Sequence, residues 1–304
     1  MNLVKRIILR FIRTIHFLFS DKVYLCILFY LYMGKRLNLR DPQTMNEKMQ
    51  WLKLYDRKPE YTQMVDKLLA KELYGQMLGK EYIVPTIGVW EKFDDIDFDK
   101  LPDEFVLKTN HSGGNTGVVI CYDKSTFNKD DAKKKLEKSL KTDIYKSFGE
   151  WPYKGVKKCI FAEALIGKEG EELIDYKFYC FDGYVDSVLV CMDRQIGDPK
   201  FYFFDKNWEL KRYNKRGKMA PKDFTIPKPA NIDKMFELAA KISKGIPHLR
   251  VDLYNVDGNI YFGESTFFTA SGFDANRLYD ADVYMGSLIK LPTKTIKTIN
   301  LQHK

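Results

Sequence analysis

Cysteine and histidine are scarce in this sequence, which argues against several kinds of site. The 304 residues include five cysteines, none in a Cys-x-x-Cys pair, and four of them lie in apolar, strand-like runs. This predicts reduced core cysteines and disfavours a disulfide scaffold. The four histidines lack the spacing of metal ligands, and His111, in a Gly-rich segment, is expected to be exposed. No Ser–His or Cys–His arrangement indicates a covalent nucleophile.

The sequence also lacks a long hydrophobic run and a widely distributed positive charge. The uncharged run Val23–Met33 has 11 residues, whereas about 20 are needed to cross a bilayer. No small-residue cleavage site follows it, so a signal peptide is disfavoured. Of the net charge of +9, residues 1–40 hold +7, from eight basic residues and Asp21. The remainder is nearly neutral, so we expect no nucleic-acid partner. The reduced cysteines predict a cytoplasmic protein.

The basic N-terminus has the pattern of an amphipathic helix. Apolar residues recur at helical spacing, and basic residues fall on the opposite arc. The apolar set is Leu3, Val4, Ile7, Ile8, Phe11, Ile12, Ile15, Leu18 and Phe19, and the basic set is Lys5, Arg6, Arg10 and Arg13. Two interpretations stay open: residues 1–20 lie on an anionic membrane surface, or the helix packs on its own domain or on a second subunit. The pattern leaves the oligomeric state undecided.

Helical patterns dominate the first hundred residues, and strand patterns dominate the rest. Asn46–Gly79 has the pattern of two helices separated at Pro59. From Phe105 onward, short β-like runs alternate with Gly turns, and helical patterns interrupt them at Lys129–Lys141 and Ile232–Lys244. The predicted strands are Phe105–Thr109, Val118–Tyr122, Cys159–Ile166, Lys177–Phe181, Tyr184–Met192, Phe201–Phe204, Leu249–Tyr254 and Asn259–Gly263. We therefore expect an α+β fold with antiparallel sheets.

A lysine followed by a Gly-rich loop is the first motif that indicates chemistry. Lys108 ends a predicted strand, and the segment Thr109–Gly117 leads into the next strand. Backbone N–H groups of such a loop can surround phosphate oxygens while the lysine neutralises their charge. The segment differs from GxxxxGK[ST], and no helix follows it, which disfavours a P-loop NTPase. Alone, it is more typical of an ordinary turn.

A hairpin around Asp182-Gly183 carries a second lysine. Strand alternation puts Asp175 and Lys177 on one face and Phe178 and Cys180 on the other. A single strand lysine is usually a surface residue, so this motif gains weight only beside the others.

The hairpin around Asp257-Gly258 brings two carboxylates together. A three-residue loop centred on Gly258 would set Asp252 opposite Glu264 and Arg250 opposite Thr266. The other face is then apolar, with Leu249, Val251, Leu253, Tyr261 and Phe267. Neighbouring carboxylates repel unless a cation or proton lies between them, and oxygen ligands suit Mg²⁺ carrying nucleotide phosphates. A metal site is therefore favoured over a solvated charged hairpin.

In this order, the elements resemble the ATP-grasp fold: lysine and Gly-rich loop, hinge, strand lysine, and a closing R-x-D…E-x-[NT] hairpin. More narrowly, the chain resembles the TupA-like branch, named for teichuronopeptide biosynthesis and found in polysaccharide gene clusters. The similarity runs from about Leu39 to Leu291, through NEKMQWLKLYDRKPEYT, VDK, YIVPTIGVWEKFDDIDFDKLPDEFVLKTNHSGG, DYKFYCFDG and RVDLYNVDGNIYFGESTF. Two departures are Thr266, where Asn is usual, and the lack of a Rossmann-like domain before the helices.

The resemblance implies two α+β lobes with antiparallel sheets after an N-terminal helical segment. The implied parts are the basic amphipathic segment 1–40, a helical region 41–100, a nucleotide-binding lobe 101–166 and a C-terminal catalytic lobe 167–304.

It also implies a nucleotide site for ATP. The implied residues are Lys108, Ser112, Gly113, Gly114, Glu163, Leu165, Asp175 and Lys177. Lys108 would contact the α- and β-phosphates, and the Gly-rich loop would close over the β/γ end. The backbone from Glu163 to Leu165 would meet adenine. Asp175 would hold ribose or orient Lys177, which would reach the phosphates.

The implied catalytic and metal residues lie on the strands of the second lobe. Asp252 and Glu264 would hold Mg²⁺, with Thr266 as the third position of the motif. Arg250 would stabilise the transferred phosphoryl group together with Lys177. The implied reaction is a ligation: a substrate carboxylate takes the γ-phosphoryl group of ATP, and an amine then displaces phosphate to form an amide. The implied partners are a nucleotide, an amine and a carboxylate-bearing sugar or polysaccharide, such as a uronic acid.

Two other classes stay open from the sequence. A glycosyltransferase is suggested by the DxD matches Asp95–Asp97 and Asp280–Asp282, although such matches arise readily by chance among 41 acidic residues. A non-catalytic membrane scaffold is disfavoured, because none of the implied charged residues is missing. If residues 1–20 bind lipid, the enzyme is peripheral on the inner face of the cytoplasmic membrane.

Overall fold

The chain forms two antiparallel sheets with helices packed around them. The computed structural model describes residues 3–114, 116–171, 173–193 and 197–293. Within these ranges the predicted α+β class is confirmed. The ends of two predicted parts, residues 1–2 and 294–304, lie outside the described residues, as does Asn115 in the Gly-rich segment.

The elements follow the predicted order with small shifts of their ends. The helices are α1 (Leu3–Thr14), α2 (Asp21–Met33), α3 (Met45–Tyr55), α4 (Glu60–Val65), α5 (Lys67–Leu78), α6 (Lys129–Leu140), α7 (Ile144–Phe148), α8 (Lys215–Met219), α9 (Ile232–Ser243) and α10 (Tyr279–Leu288). The strands are β1 (Thr86–Trp90), β2 (Phe105–Thr109), β3 (Val118–Cys121), β4 (Ile160–Glu163), β5 (Asp175–Phe181), β6 (Tyr184–Met192), β7 (Lys200–Phe204), β8 (Leu210–Lys211), β9 (Leu249–Val256) and β10 (Asn259–Thr266). All eight predicted strands are present, and the edge strands β1 and β8 are additional.

The smaller sheet has the order β1-β4-β2-β3. Strand alternation turns Phe105 and Leu107 of β2 into a core that includes Leu136 of α6. The same alternation turns Lys108 of β2 and Glu163 of β4 to the opposite face. The sheet therefore presents a lysine and a carboxylate toward the second sheet.

The larger sheet has the order β10-β9-β5-β6-β7-β8. Phe178 and Val251 lie on the face that packs in one core with Met235 and Ala239 of α9. The predicted separation of faces in β5 is therefore confirmed. The opposite face carries the charged residues of β5, β9 and β10 and turns toward the smaller sheet.

The stretch in which two helices were predicted, Asn46–Gly79, is covered by three, α3 to α5. The break at Pro59 is confirmed, because α4 begins directly after it. A second break occurs at Asp66, whose carboxylate accepts hydrogen bonds from the N–H groups of Leu68 and Leu69 and caps α5. The prediction missed this break because the apolar spacing continues across Asp66.

Helix α1 turns most of its apolar stripe away from the body of the protein. Leu9, just beside the stripe, is buried, and Arg13 donates to the Ser147 carbonyl at 3.2 Å. In contrast, Leu3 is 69% and Phe11 is 62% exposed. The helix therefore does pack on its own domain, one of the two predicted interpretations, but through Leu9 and Arg13, and most of the apolar stripe stays exposed.

In the part of the chain that the structure describes, no helix combines the length and the apolar character that crossing a membrane requires.

Candidate active site

A narrow cleft lies where the two sheets and helix α5 meet. Its walls are Lys67, Lys71, Val84, Lys108, Phe161, Glu163, Tyr254, Phe262 and Gly263. The smaller sheet and the larger sheet each contribute three of these residues, and α5 contributes two lysines. Side chains of both sheets and of α5 therefore face one another in this cleft.

The register of the larger sheet aligns three predicted site residues in a row. Lys177 of β5 pairs with Asp252 of β9, and Asp252 pairs with Glu264 of β10. Arg250 likewise pairs with Thr266. Residues directly opposite in an antiparallel pair share a face, so the predicted juxtaposition of the two carboxylates is confirmed.

The turn that was predicted to produce this register is wrong. Val256 pairs with Asn259, so the turn has two residues, Asp257 and Gly258, both with positive φ (49° and 79°). Such a turn matches the twist of a hairpin. The register shifts between Phe262 and Glu264, and this β-bulge supplies the extra residue that the longer loop was expected to supply.

Because of the bulge, the residues of β10 that face the core differ from the predicted ones. Phe262 is buried in place of the predicted Tyr261, which is half-buried. The bulge residue Gly263 leaves little room for a side chain. A Cβ there would lie 3.0 Å from the ring of Tyr254 and 3.1 Å from the Asp252 carbonyl oxygen.

Arg250 holds both carboxylates of the row. Its Nε and Nη2 donate to the two oxygens of Asp252 at 2.6 and 2.7 Å, and Nη2 also donates to Glu264 Oε1 at 2.9 Å. Lys177 pairs with Asp252, and Asp175 Oδ2 lies 3.6 Å from its Nζ. The Thr266 hydroxyl lies 3.4 Å from Glu264 Oε1. All six residues are thus brought together.

Lys67 is a site residue that the sequence interpretation did not single out, although VDK belongs to the resemblance. Its Nζ lies 3.0 Å from Glu264 Oε2 and donates to the Ser112 carbonyl at 2.5 Å. Burial disfavours the charge of Glu264, but Lys67, then Arg250 and Lys177, hold its pKa well below the usual range. The capping Asp66 with lysines four residues apart on α5 was the signal that could have located it.

Glu163 lies between two lysines of the cleft. Lys71 Nζ contacts Glu163 Oε2 at 2.8 Å, and Lys108 pairs with the other oxygen. Burial opposes ionisation, yet these two ammonium groups hold the pKa of Glu163 below its ordinary value. The resemblance implied a backbone role for Glu163–Leu165, and the contacts add a side-chain role in fixing the two lysines.

The Gly-rich loop joins the cleft at one end and is exposed at its tip. Ser112 is buried and accepts from Lys67, whereas Gly113 and Gly114 are exposed. His111, predicted to be exposed, is buried, and its Nε2 lies 3.2 Å from the Ser139 carbonyl oxygen. Burial, then the charge of Lys158, lowers the pKa of His111 to about 4, so the ring is neutral at pH 7. The chain just before the exposed tip is therefore buried against α6.

The residues present supply too few ligands to hold Mg²⁺ alone, but they fit a Mg²⁺ ion that a bound ligand also coordinates. Among the described residues, no three or more His, Cys, Asp or Glu side chains cluster as a metal cage. Asp252 and Glu264 offer two carboxylates, and Mg²⁺ characteristically takes one or two carboxylates together with substrate phosphates and water. The donor set therefore suits a magnesium–nucleotide complex.

The DxD matches lie elsewhere and have other partners. Asp97 is exposed and pairs with Lys100 at 2.9 Å. Asp282 is buried and accepts from the backbone N–H and the side-chain amide of Asn46 at 3.1 and 2.9 Å. Neither provides the open carboxylate pair that a nucleotide-sugar metal needs.

One protein family matches most of the chain. The family described as TupA-like ATPgrasp matches residues 47–290, close to the predicted range from Leu39 to Leu291. The resemblance stated from the sequence is confirmed. No curated protein is significantly similar to the chain.

Solved ligase structures are similar over most of the chain at low identity. D-alanine–D-alanine ligase from Helicobacter pylori is 14% identical, with 83% of this chain and 70% of that chain covered and a TM-score of 0.43. The same ligase from Bacillus anthracis, complexed with ATP, is 16% identical, with coverages of 80% and 66% and a TM-score of 0.44. L-amino acid ligase from Bacillus licheniformis is 14% identical, with coverages of 83% and 56% and a TM-score of 0.45.

Proposed function

Because the chain belongs to the TupA-like ATP-grasp family, we propose that it joins a carboxylate-bearing sugar or polysaccharide precursor to an amine. The predictions of an ATP-grasp enzyme and of ATP and Mg²⁺ as its cofactors are confirmed by this membership. The observation that carries the proposed ligation is the row Lys177–Asp252–Glu264 on the larger sheet, which Lys67 joins to the cleft that Lys108 lines from the smaller sheet.

The roles proposed for the nucleotide residues follow from charge and position. Lys108 and Lys71, from opposite sides of Glu163, supply positive charge at the end of the cleft nearest the hinge strand β4. Lys177 supplies positive charge from the second sheet. We keep the hinge backbone from Glu163 to Leu165 as the adenine contact and Asp175 as the ribose contact or the partner that orients Lys177.

Arg250 is proposed to stabilise the transferred phosphoryl group. Its guanidinium is fixed by two carboxylates, so it is oriented before any substrate binds. Mg²⁺ held by Asp252 and Glu264, with Thr266 beside them, would neutralise charge that develops on the phosphate oxygens. No side chain needs to act as a nucleophile, since positioning and charge stabilisation suffice for this transfer.

A sugar acid such as a hexuronate is our proposal for the carboxylate substrate. It is supported by the polysaccharide context that the sequence resemblance implies. The amine is proposed only as a class, for example the α-amino group of an amino acid.

We also propose that the enzyme works at the inner face of the cytoplasmic membrane. The support is the outward-facing stripe of α1 beside the basic residues Lys5, Arg6 and Arg10. An apolar face flanked by positive charge is typical of a helix that lies in an anionic lipid interface.

The test of the ligase is phosphate release from MgATP with a panel of hexuronates and amines. We expect phosphate and ADP only when an acid and an amine are both present, with an amide product detected by mass spectrometry. The Asp252→Asn variant serves as the inactive control. Release of UDP from a nucleotide sugar would favour the glycosyltransferase instead, and neither product with any pair would favour a scaffold.

A further inference from the structure

We propose that Lys67 is an exchange residue: it pairs with Glu264 and moves to the nucleotide phosphates when the metal takes this carboxylate. Binding of the metal and of the nucleotide would then be interdependent. This inference rests on the proposed function, since it assumes that Glu264 is a metal ligand and that phosphates enter the cleft. The roles taken from the family resemblance do not include Lys67.

The first observation is that every carboxylate oxygen of the metal pair already has a cationic partner. Glu264 gives Oε2 to Lys67 at 3.0 Å and Oε1 to Arg250 at 2.9 Å. Asp252 gives Oδ1 to Arg250 at 2.6 Å and Oδ2 to Arg250 and Lys177. A metal ion can therefore reach this pair only if at least one ion pair opens.

The second observation is that Lys67 is the partner best placed to leave. Arg250 is tied to two carboxylates at once, and Lys177 lies between Asp252 and Asp175. Lys67 contacts one carboxylate oxygen, and its second contact is the Ser112 carbonyl of the Gly-rich loop. It therefore already points to the loop that is proposed to close over the phosphates.

The energetic argument concerns unpaired buried charge. The Lys67 side chain is only 12% exposed, so losing its carboxylate partner without replacement would leave a poorly solvated ammonium, which is costly. Phosphate oxygens at the loop would replace that partner. If the metal binds alone, Lys67 loses its partner and binding carries the whole of this cost. If metal and phosphates bind together, Lys67 gains a new partner and the cost is avoided. Removing the Lys67 charge should therefore tighten metal binding and weaken nucleotide binding.

Lys71 is the matched control. It lies one turn later on the same face of α5, yet its carboxylate partner is Glu163, in the smaller sheet. Lys71 contributes positive charge to the same cleft without contacting Asp252 or Glu264 among the contacts described. Removing the Lys71 charge should weaken nucleotide binding and leave metal binding by Asp252 and Glu264 unchanged.

The experiment measures Mn²⁺ binding to the full chain without nucleotide, by electron paramagnetic resonance and calorimetry, and ATP binding by calorimetry in excess Mg²⁺. For Lys67→Met we expect Mn²⁺ to bind about tenfold tighter or more, because a unit charge about 3 Å from the carboxylate is removed. ATP should bind about tenfold weaker. For Lys71→Met we expect unchanged Mn²⁺ binding and weaker ATP binding.

Unchanged or weaker Mn²⁺ binding by Lys67→Met overturns the exchange, as does the absence of Mn²⁺ binding in both the wild type and this variant. Equal tightening by Lys71→Met also overturns it, since the effect would then be a general one of net charge. Lys67→Gln, which keeps a donor for the Ser112 carbonyl, replaces the methionine variant if that one unfolds. Absence of ATP binding by the wild type would refute the proposed function, while the Mn²⁺ comparison would still decide whether Lys67 competes with a metal for Glu264.

Discussion

At the residue scale, the cleft depends on pairing charges that burial would otherwise neutralise. Asp252, Glu163 and Lys177 are each less than 10% exposed, and each has an oppositely charged partner within 4 Å. Removing one member of such a buried pair leaves the other uncompensated, which costs more than the pair contributes. We therefore expect charge-removing substitutions here to affect folding as well as function, and neutral isosteres are the appropriate test.

The Asp252 and Glu264 carboxylates are predicted to act as one unit. Asp252→Asn or Glu264→Gln should each lower the rate of ATP-dependent ligation about 100-fold or more. Because both carboxylates are proposed to hold one metal, the double variant should be little worse than either single variant. Steady-state kinetics of the three variants checks this. Full additivity of the two effects would contradict a shared metal site.

Lys53 is predicted to make stability depend on pH above neutrality. Its side chain is completely buried, and its Nζ donates to the carbonyls of Phe148 and Ser271 at 2.8 and 2.9 Å. Burial lowers the pKa of Lys53 to about 7, although the charge of Glu150 opposes this shift. Between that value and the ordinary lysine value, the unfolded chain binds a proton that the native protein does not.

The Lys53 contribution to the free energy of unfolding should therefore rise with pH from about 7 to about 10, by up to about 1.4 kcal/mol per pH unit. Below pH 7 this contribution is at its lowest. Urea unfolding of the wild type and Lys53→Met across this range measures the difference. The variant should lack this component of the slope. Parallel curves for the two proteins would show that the Lys53 ammonium stays protonated throughout.

At the element scale, hairpin β9–β10 combines a tight turn with a bulge. The Asp257-Gly258 turn keeps the strands twisted together, and the shift before Glu264 keeps the two carboxylates on one face. A regular ladder from the same turn would have placed Gly263 opposite Asp252. The carboxylate pair therefore depends on one local irregularity, at a residue without a side chain.

Helix α1 is predicted to bind anionic vesicles. Its exposed apolar residues can enter the lipid interface while Lys5, Arg6 and Arg10 approach anionic headgroups. Cosedimentation of the full chain with phosphatidylglycerol vesicles should fall as salt rises, because the charge attraction is screened. The double substitution Ile7→Ser and Phe11→Ser should abolish most binding and leave ATP turnover largely intact.

The control for this prediction is Ile120→Ser, which removes an exposed isoleucine from β3 of the smaller sheet. It should leave vesicle binding unchanged. If the unmodified protein ignores anionic vesicles at low salt, the stripe is an interface with a second subunit. Sedimentation velocity would then detect a dimer that the double variant lacks.

At the scale of the whole molecule, the cleft lies between two distinct hydrophobic cores. Lys108 belongs to the smaller sheet and Lys177 to the larger one, while α5 contributes to both sides of the junction through Lys67 and Lys71. A ligand that contacts all of these groups stabilises the arrangement of the two sheets as well as each contact. This is why nucleotide binding should be visible in global unfolding.

MgATP is predicted to raise the melting temperature. At a concentration about 100 times the Kd, binding adds about 2.7 kcal/mol to stability, which corresponds to roughly 5 °C for a chain of this size. Lys108→Met and Lys177→Met should each lose most of this increase, since the stem remains but the charge is removed. Lys206→Met, in an exposed turn, should retain it. Full retention of the increase in both cleft variants would contradict phosphate contact by these lysines.

The sequence by itself determined the features that repeat with a local period. Alternation along β5 assigned Lys177 to the face of Asp175, alternation along β9 assigned Asp252 to the face opposite its apolar residues, and Asp-Gly pairs located both hairpins. These inferences succeed because a strand exposes its pattern within a few residues. The pairing of Asp252 with Glu264 was also predicted, but from a turn of the wrong length, since a bulge leaves little trace in a sequence.

Only the tertiary structure decided what approaches from distant segments. Lys67 reaches Glu264 across 197 positions of the chain, and Glu163 meets Lys71 across 92. His111 is buried because α6 packs over it, and the stripe of α1 is exposed because Leu9 and Arg13 make the contacts instead. Periodicity shows that a helix or a strand has a polar face and an apolar face. Which surface meets that face depends on how helices and sheets pack together, and this packing has no local signature.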